Sequence, residues 1–318
     1  MGVYTKLLLE ALKKDGTHTI MEFSGRQGVP KGADLVHYPY FDPFFLTLNP
    51  TRIPFVVTVH DLIPIVFPDR FPRGIKGELK WQVQKYGLKK AKHIITDSEA
   101  SKRDVARLIG FSSGRITPVL LAPQTGLKPV KKKAAGFPDR YFLYVGDLNW
   151  NKNVVGLLAA FAQVHQNFPE THLGLVGSVF LREDVLEAQA AAAAVWSLGL
   201  DKVVHRVGRI SEEDLAAAYT NAIACVLPSH YEGFGLPVLE AFACGCPVVC
   251  ATGSSLDEIA GPAVRVNPAD TKSIADGMIR AMNLPQAARA DMVKKGAQWV
   301  RKFSWEKVAR ETIAVYES

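Results

Sequence analysis

The stretch SHYEGFGLPVLEAFACGCPVV, residues 229–249, decides how the fold is interpreted. The run AIACVLP before it predicts a strand that ends near Pro228, and a loop with two glycines follows. Pro237 stands where the first turn of a helix suits proline, and the apolar run after it predicts a buried helix and then a second strand, PVVCA. This order indicates a parallel sheet that binds its ligands at the carboxyl ends of the strands.

Two glutamates flank the glycine turn, Glu232 in the loop and Glu240 in the predicted first turn of the helix. The N–H groups and dipole of a helix start favour an anion, most naturally a phosphate. Because a carboxylate only accepts hydrogen bonds, Glu240 suits two neighbouring hydroxyls such as those of a ribose, and Glu232 suits hydroxyls beyond the phosphate. The alternative, which a generic pair would favour, is one solvated glutamate and one that caps the helix.

A second loop repeats this pattern in YFLYVGDLNWNKNVVGLLAAF, residues 141–161. A predicted strand leads to Gly146, a short polar loop and a helix that starts near Asn153. Lys152 stands at the start of that helix, where its positive charge could pair with a diphosphate, although a lone lysine in such a loop is usually solvated. Since both loops leave the carboxyl ends of strands in one domain, we expect them to converge on one anion.

The rest of the chain alternates short β-branched or aromatic runs with helical patterns. In the first half the strand candidates are THTIMEFS, ADLVHYP, IPFVVTVHDL, AKHIITDS and RITPVLLAP, with helices predicted at 75–92 and 99–109. In the second half they are RYFLYVGDL, THLGLVGS, VVHRVGRI, AIACVLPS, PVVCA and AVRVNP, with helices near 153–167, 181–198, 212–221, 237–244, 271–283 and 286–302. The alternation predicts an α/β protein of two Rossmann-like, doubly wound parallel-sheet domains that face each other across a cleft.

The boundary between the halves is predicted at KPVKKKAAGFPDR, residues 128–140, which is basic and lacks apolar periodicity. The predicted domains are therefore 1–127, on the acceptor side, and 141–302, which binds the nucleotide. We expect residues 303–318 to form a helix that packs back on the N-terminal domain.

The composition is that of a soluble globular protein, with 318 residues, of which 48% are hydrophobic and 22% charged. No apolar run approaches the ~20 residues of a membrane span, and MGVYTKLLLEALKKDG predicts an amphipathic helix without a cleavage site, so we expect a cytoplasmic protein. The four cysteines lack the spacing of a zinc site and are predicted to be buried thiols; they are Cys225, Cys244, Cys246 and Cys250.

A basic segment, residues 70–92, carries eight Lys or Arg residues against one acid, Glu78. One interpretation is a solvated helix face, and the other is attraction to an anionic membrane surface or a phosphorylated acceptor. Trp81 and Tyr86 interleave with the lysines, as suits a bilayer interface. No nucleic-acid motif accompanies the charge, so nucleic acid is not expected as a partner.

The motifs together resemble the retaining glycosyltransferases of family four, which have the GT-B fold and an E-x7-E signature. EGFGLPVLEAFACGCPVV resembles the signature itself and YVGDLNWNKN the lysine loop of the family. GVYTKLLLEAL is similar to its opening glycine loop, TVHDLIPI to its histidine motif, IITDSEASKRDV to its fourth-strand region and FSWEKVARETIAVYE to its last helix. VVHRVGRISEEDLAAAYTNAIACVLPS resembles the stretch that leads into the signature, so the resemblance covers nearly the whole chain.

The resemblance implies a role for each matching residue. Glu240 would bind the ribose of a nucleotide-sugar donor, Glu232 the transferred sugar, and Lys152 the diphosphate. His60 would touch the donor sugar or the acceptor, so the catalytic candidates are His60, Lys152 and Glu232, and Asp61 is expected to support its loop. The remaining donor-binding candidates are backbone positions or base-framing residues: Gly2, Gly146, Gly208, Arg209, Ile210, Gly233, Phe234, Gly235 and Leu236.

Two features depart from the family pattern. Asp147 stands where many members carry an arginine, so Arg209 is a candidate substitute in the diphosphate clamp. The sequence opens at MGVYT, inside the family's glycine loop, so the N-terminal domain is expected to lack its first strand.

The resemblance implies transfer of a sugar from a GDP- or UDP-linked donor to a glycan or lipid-linked acceptor, with retention of anomeric configuration. We expect no metal or cofactor, because the sequence has no Asp-x-Asp motif, and HYPYFDPFF hints at a mannosyltransferase. The alternatives are a non-catalytic module that binds nucleotide or glycan, and another enzyme of the same fold, such as a phosphorylase or a sugar-nucleotide epimerase.

Overall fold

The computed structural model describes residues 2–24 and 28–318. The chain divides into two compact units. The first unit extends to Ala122 and includes Phe303–Ser318, and the second unit is Pro123–Lys302. The segment 128–140 belongs to the second unit, where Lys132 pairs with Asp214 at 2.9 Å.

The first unit contains a four-stranded parallel sheet in the order β1-β2-β3-β4. Its strands are β1 (Val36–Tyr38), β2 (Phe55–Val59), β3 (His93–Thr96) and β4 (Ile116–Pro118). The helices of this part of the chain are α1 (Val3–Asp15), α2 (Ile63–Val66), α3 (Gly74–Leu88) and α4 (Glu99–Ile109). Val57, Leu88 and Val105 meet in its core, so β2 is covered by apolar side chains from α3 and α4.

The second unit contains a six-stranded parallel sheet. Its strands are β5 (Tyr141–Val145), β6 (His172–Val176), β7 (Val204–Val207), β8 (Cys225–Leu227), β9 (Val248–Ala251) and β10 (Val264–Val266). Its helices are α5 (Val154–Asn167), α6 (Leu186–Ser197), α7 (Glu212–Asn221), α8 (Leu236–Ala243), α9 (Leu256–Ile259), α10 (Thr271–Met282) and α11 (Gln286–Val300). The chain then returns to the first unit with α12 (Trp305–Glu317). The predicted α/β class with two parallel sheets is confirmed.

The strand order of the second sheet is β10-β9-β8-β5-β6-β7. From β5 the chain adds β6 and β7 on one side, and it then crosses to β8 and adds β9 and β10 on the other. The order in which the chain adds strands therefore reverses between the parallel neighbours β5 and β8, where Leu143 pairs with Cys225. In an open parallel sheet the loops at such a reversal separate at the carboxyl edge and leave room for a ligand.

A partly buried chain of polar side chains attaches the C-terminal helix to the first sheet. The Tyr4 hydroxyl lies 3.2 Å from Thr58 Oγ1, Thr58 lies 2.8 Å from His37 Nε2, and His37 Nδ1 lies 2.7 Å from the Tyr316 hydroxyl. Burial, with the nearby charge of His60, lowers the pKa of His37 to about 3, so the imidazole is neutral. These bonds join α1, β1, β2 and α12 through groups that are satisfied inside the unit.

One predicted strand is wrong. Residues 17–24, THTIMEFS, form no strand, and among the described residues no strand precedes Val36. Its β-branched and aromatic residues favour a strand, but a strand also needs a neighbour to bond with, and β1 pairs only with β2.

The other elements appear close to their predicted places. The helix predicted at 212–221 is Glu212–Asn221, capped by the Ser211 side chain, whereas the one predicted at 181–198 begins only at Leu186. All four cysteines are buried thiols, as predicted. Within residues 2–24 and 28–318, no helix is both long and apolar enough to cross a membrane.

Candidate functional site

The loops that follow β5 and β8 meet at the reversal point of the second sheet. Lys152, from the first loop, donates a 2.7 Å hydrogen bond from Nζ to Glu232 Oε2 in the second. Ser229 donates a 2.7 Å bond to the other oxygen, Glu232 Oε1. Glu232 is buried, and the Lys152 side chain is 23% exposed, so this ion pair lies at the mouth of the site with its carboxylate turned inward.

Asparagines in the first loop hold the two loops together. Asn151 is buried; its side chain donates to the Tyr231 carbonyl at 2.9 Å, and its carbonyl accepts from the His230 N–H at 2.7 Å. Asn153, at φ 55° before α5, donates to the Pro228 carbonyl at 3.1 Å. These bonds fix where Lys152 stands relative to Glu232. Neither asparagine nor Ser229 was among the predicted site residues, although the Asn-rich run NWNKN was a signal for them.

The glycine turn before α8 has a conformation that only glycine adopts without strain. Gly235 has φ 102°, and a Cβ there would stand 2.7 Å from Leu256 Cδ2. The Ser255 hydroxyl lies 2.9 Å from the carbonyl oxygens of both Glu232 and Phe234. The backbone of Gly233–Leu236 is therefore held in place, and the N-terminal end of α8 lies at the same edge of the sheet as the ion pair.

Glu240 lies one turn further along α8 and is buried. The prediction that it falls in the first helical turn is wrong, because α8 begins at Leu236 and Glu240 is its fifth residue. The Tyr219 hydroxyl donates a 3.0 Å bond to Glu240 Oε2. Burial raises the pKa of Glu240, the Tyr219 bond lowers it in part, and the charge of Glu212 raises it further. The result is a carboxylate with an internal donor and capacity for hydroxyl groups of a ligand.

The remaining predicted residues of the second unit also follow strand ends. Gly146 follows β5, and its N–H donates to the Val176 carbonyl at 3.0 Å. Gly208, Arg209 and Ile210 follow β7, and the Arg209 side chain is exposed. Because β5 and β7 are parallel members of one sheet, these residues lie along the edge that carries Lys152 and Glu232. Asp147 is exposed, and its carbonyl accepts from the Tyr144 hydroxyl at 2.7 Å.

Two predicted residues belong to the first unit. Gly2 precedes α1, where its carbonyl accepts from the Lys6 N–H at 3.1 Å; apart from its neighbours in the chain, no heavy atom of the described residues lies within 4 Å of where its Cβ would be. His60 follows β2, and its Nδ1 lies 2.7 Å from Asp97 Oδ2. The predicted supporting role of Asp61 is consistent with its Oδ1, which accepts from the Ile63 N–H at 2.9 Å at the start of α2.

Asp97 is the main group that raises the pKa of His60. Burial lowers this pKa, but the charge and hydrogen bond of Asp97, together with the charge of Asp61 and a backbone hydrogen bond at Pro39, outweigh burial and raise it above its ordinary value. The Tyr4 ring meets the imidazole edge-on with centroids 4.6 Å apart, and the Ser101 hydroxyl donates to the His60 carbonyl at 2.9 Å. Asp97 was not a predicted site residue, although it stands in the motif IITDSEASKRDV.

The second unit thus has the fold of a Rossmann-like domain, with an ion pair and a glycine turn at its switch point. Comparison with known proteins gives the family. The model of the glycosyl transferases group 1 matches residues 128–299, and that of Glycosyltransferase Family 4 matches residues 23–119. The chain belongs to the group 1 glycosyltransferases.

Curated relatives include bacterial mannosyltransferases. The O-antigen chain mannosyltransferase B of Escherichia coli is 30% identical over 300 residues, which cover 89% of this chain and 75% of that protein. The MMP alpha-(1->4)-mannosyltransferase of Mycolicibacterium hassiacum is 38% identical over 124 residues, 38% of this chain and 30% of that protein.

Solved structures agree on the fold. The sucrose-phosphate synthase of Thermosynechococcus elongatus has a TM-score of 0.74 at 28% identity, and the match covers 90% of this chain and 73% of that one. Anabaena HepE, solved with UDP and glucose, has a TM-score of 0.73 at 17% identity and matches 100% of this chain and 83% of its own. These neighbours support the predicted GT-B class of two Rossmann-like domains.

Proposed function

We propose that the protein transfers a hexose from a nucleoside diphosphate sugar, of the GDP-mannose or UDP-hexose type, to a glycan or lipid-linked acceptor, with retention of anomeric configuration. The observation that carries this proposal is the Lys152–Glu232 pair, 2.7 Å long, at the reversal point of the second sheet. A diphosphate sugar presents an anion and hydroxyl groups side by side. The pair offers a cation for the first and a carboxylate acceptor for the second.

The donor is proposed to lie along the carboxyl edge of the second sheet. Glu240 accepts hydrogen bonds from the ribose, and Glu232 accepts them from the transferred sugar. The backbone of Gly233–Leu236 lies around the sugar and phosphates, Gly146 opens the lysine loop, and Gly208–Ile210 frame the base. The support for this arrangement is that Gly146, Gly208–Ile210 and the loop with Glu232 follow parallel strands of one sheet, and that Glu240 lies in the helix that this loop begins.

The proposed reaction breaks the bond between the anomeric carbon and the diphosphate oxygen and forms a bond from that carbon to an acceptor oxygen on the same face. The acceptor proton passes to the departing diphosphate oxygen. Lys152 and the positive end of α8 stabilise the charge that develops on the diphosphate, a task that other enzymes give to a metal ion. His60 keeps the role that the resemblance implies, at the donor sugar or the acceptor.

Mannose is the sugar to test first. Two curated relatives are mannosyltransferases by name, and one of them is named for the O-antigen chain. We propose that this protein acts in polysaccharide biosynthesis, in the cytoplasm, as a peripheral protein on an anionic membrane surface.

Release of nucleoside diphosphate tests the proposal. The full chain is incubated with GDP-mannose, UDP-glucose or UDP-galactose and a panel of glycan and polyprenyl-linked acceptors, and product configuration is read by NMR. We expect acceptor-dependent release and a retained anomeric centre. The variant Lys152→Ala should lose release, whereas Lys133→Ala, which removes an exposed lysine of the same unit, should keep it. Nucleotide binding without release from any pair would identify a binding module, and release driven by inorganic phosphate would identify a phosphorylase.

A further inference from the structure

Helix α3 presents an apolar stripe to solvent. Ile75, Leu79, Val83 and Tyr86 follow one another at helical spacing and are all exposed, Ile75 by 82%. The core-facing side of the same helix is formed by other residues, the buried Trp81, Gln84 and Leu88. Because α3 already has a buried face, its exposed stripe is not needed to pack the helix on its own unit.

A loop beside α3 carries two further exposed apolar side chains. Phe45 and Leu46 are 66% and 64% exposed. The Gln84 side chain donates to the Phe45 carbonyl and, at 2.7 Å, to Thr47 Oγ1, which ties this loop to α3. Lys80 Nζ lies 5.4 Å from the centre of the Phe45 ring. We call the six exposed apolar side chains the α3 patch: Phe45, Leu46, Ile75, Leu79, Val83 and Tyr86.

Lysines surround this patch. Six of the eight basic residues between 70 and 92 are exposed. Four of these six, Lys76, Lys80, Lys89 and Lys90, lie on α3 or within two residues of its end. The one acid, Glu78, accepts a 2.6 Å bond from Arg73, so it offsets the charge of that arginine rather than of these lysines. Lys90 Nζ lies 4.3 Å from the centre of the Tyr86 ring, which places a cation directly beside an apolar side chain.

This combination selects among partners. A soluble polyanion, such as a phosphorylated acceptor, would use the lysines but would leave the apolar side chains in water. An anionic bilayer uses both, because its headgroups attract the lysines and its acyl boundary takes up the apolar side chains. A helix of 15 residues is about 22 Å long, which suits an orientation flat in the interface.

We propose that the α3 patch inserts into the interfacial layer of an anionic membrane, with the surrounding lysines at the level of the lipid phosphates. The inference deepens the proposed function, since it names the surface by which the enzyme reaches its membrane, and it rests on that function only for the cellular setting. Vesicle binding is measured without donor, acceptor or turnover. Failure of the membrane proposal is therefore distinguishable from failure of the transferase proposal.

Co-sedimentation of the full chain with vesicles tests the proposal. We expect binding to vesicles of phosphatidylcholine mixed with phosphatidylglycerol, weaker binding to phosphatidylcholine alone, and weakening by salt. The triple variant Ile75→Ser/Leu79→Ser/Val83→Ser should reduce binding about tenfold or more, because three apolar side chains no longer enter the interface. The variant Lys76→Gln/Lys80→Gln/Lys89→Gln should reduce both binding and its salt dependence.

A matched control comes from the second unit. Leu186 and Trp196 on α6 are as exposed as the patch, and Leu186→Ser/Trp196→Ser should bind vesicles like the parent chain. Thermal unfolding checks that each variant is folded. Equal vesicle binding by the parent chain and the apolar triple variant would overturn the proposal, as would salt-insensitive binding or none. A change from dimer to monomer in the triple variant, seen by sedimentation velocity, would instead make the patch a contact between copies of this chain.

Discussion

The Tyr219 hydroxyl supports Glu240 through a 3.0 Å hydrogen bond to Oε2. Tyr219 is itself buried at the end of α7, and Glu240 is buried on α8. A carboxylate in this environment loses hydration that one phenol only partly replaces, and burial accordingly raises its pKa. Glu240 is therefore costly to keep ionised when no ligand is bound, and a ligand with hydroxyl donors reduces that cost.

The variant Glu240→Gln should weaken nucleotide binding. The amide keeps the size of the side chain and can still accept from Tyr219, but it replaces a charged acceptor for the ribose hydroxyls by a neutral one. A hydrogen bond to a charged group contributes about 1.5–3 kcal/mol and one to a neutral group about 0.5–1.5 kcal/mol, so we expect a loss of about 5- to 10-fold in affinity for GDP or UDP. Calorimetry measures it, with Glu187→Gln, an exposed glutamate of α6, as control. Unchanged affinity would remove the ribose assignment.

The same variant should stabilise the ligand-free protein at neutral pH. A carboxyl whose pKa is higher in the folded state holds its proton more tightly there than in the unfolded chain, so its ionisation lowers stability as the pH rises through that window. Glu240→Gln removes this loss, and its advantage in melting temperature should grow from acidic to neutral pH. Thermal unfolding from pH 4 to pH 8 checks it. The prediction would be contradicted if the variant melted below the parent at pH 7 and the difference in melting temperature were the same at pH 4.

The variant Asp97→Asn should lower the pKa of His60. The charge and hydrogen bond of Asp97 raise that pKa, so their contribution to stability is present in full below the unfolded histidine pKa of about 6.5 and is lost as the pH rises through the folded value. We expect NMR titration of the His60 ring to show a lower pKa in the variant and the stability difference from the parent to narrow at alkaline pH. Asp104→Asn is the control, because Asp104 is on the same unit but pairs with Arg107. An unmoved His60 titration would exclude this coupling.

A double-mutant cycle on Lys152 and Glu232 should give a measurable coupling free energy. Lys152→Ala leaves the Glu232 carboxylate buried with Ser229 as a partner, and because Lys152 is partly exposed we expect a loss of about 1–3 kcal/mol, below the ~3–5 kcal/mol of a fully buried pair. Adding Glu232→Gln should recover part of this stability and none of the transfer activity. Urea unfolding gives the coupling free energy. Strict additivity of the two changes would mean that the pair does not stabilise the fold.

Alanine substitutions at two glycines should distinguish the cost of backbone strain from the cost of steric crowding. At Gly110, φ 71°, no heavy atom in the described part of the chain, its neighbours apart, lies within 4 Å of the place that a Cβ would take, whereas a Cβ at Gly235, at φ 102°, meets Leu256. Gly110→Ala should cost about 1–2 kcal/mol through its left-handed backbone alone. Gly235→Ala should cost at least about 1 kcal/mol more, because Leu256 must also move. Urea unfolding measures both changes in the free energy of unfolding. Equal changes would show that Leu256 moves away from the added methyl group at no cost.

Local patterns were sufficient for most of the elements. The helix Glu212–Asn221 was predictable residue by residue because Ser211 caps it and three acids follow in its first turn. The stretch 17–24 shows the limit of the same reasoning, since β-branched and aromatic residues indicate that a segment could form a strand but not whether a neighbouring strand is present.

Some features of the candidate site were likewise predictable from local sequence, and others were not. Lys152 and Glu232 were each identifiable from a loop at the end of a strand, but their 2.7 Å contact depends on the strand order that brings β5 beside β8. Tyr219 and Asp97 were missed because each acts through a partner more than 20 residues away, and a single sequence carries no sign of such pairs. The exposed stripe of α3 likewise became visible only when Trp81 was found on the opposite, buried face.

The site supplies its own counter-ion. Lys152 is already neutralised by Glu232, so an anion that enters has to compete with a carboxylate for that cation. A bare phosphate that won this competition would take Lys152 from Glu232 and leave that carboxylate buried beside Ser229, and the desolvation of its charge would oppose the exchange. A ligand that brings hydroxyl donors together with its phosphates gives each partner of the broken pair a replacement. The pair therefore disfavours a bare phosphate relative to a ligand that carries phosphate and hydroxyl groups together.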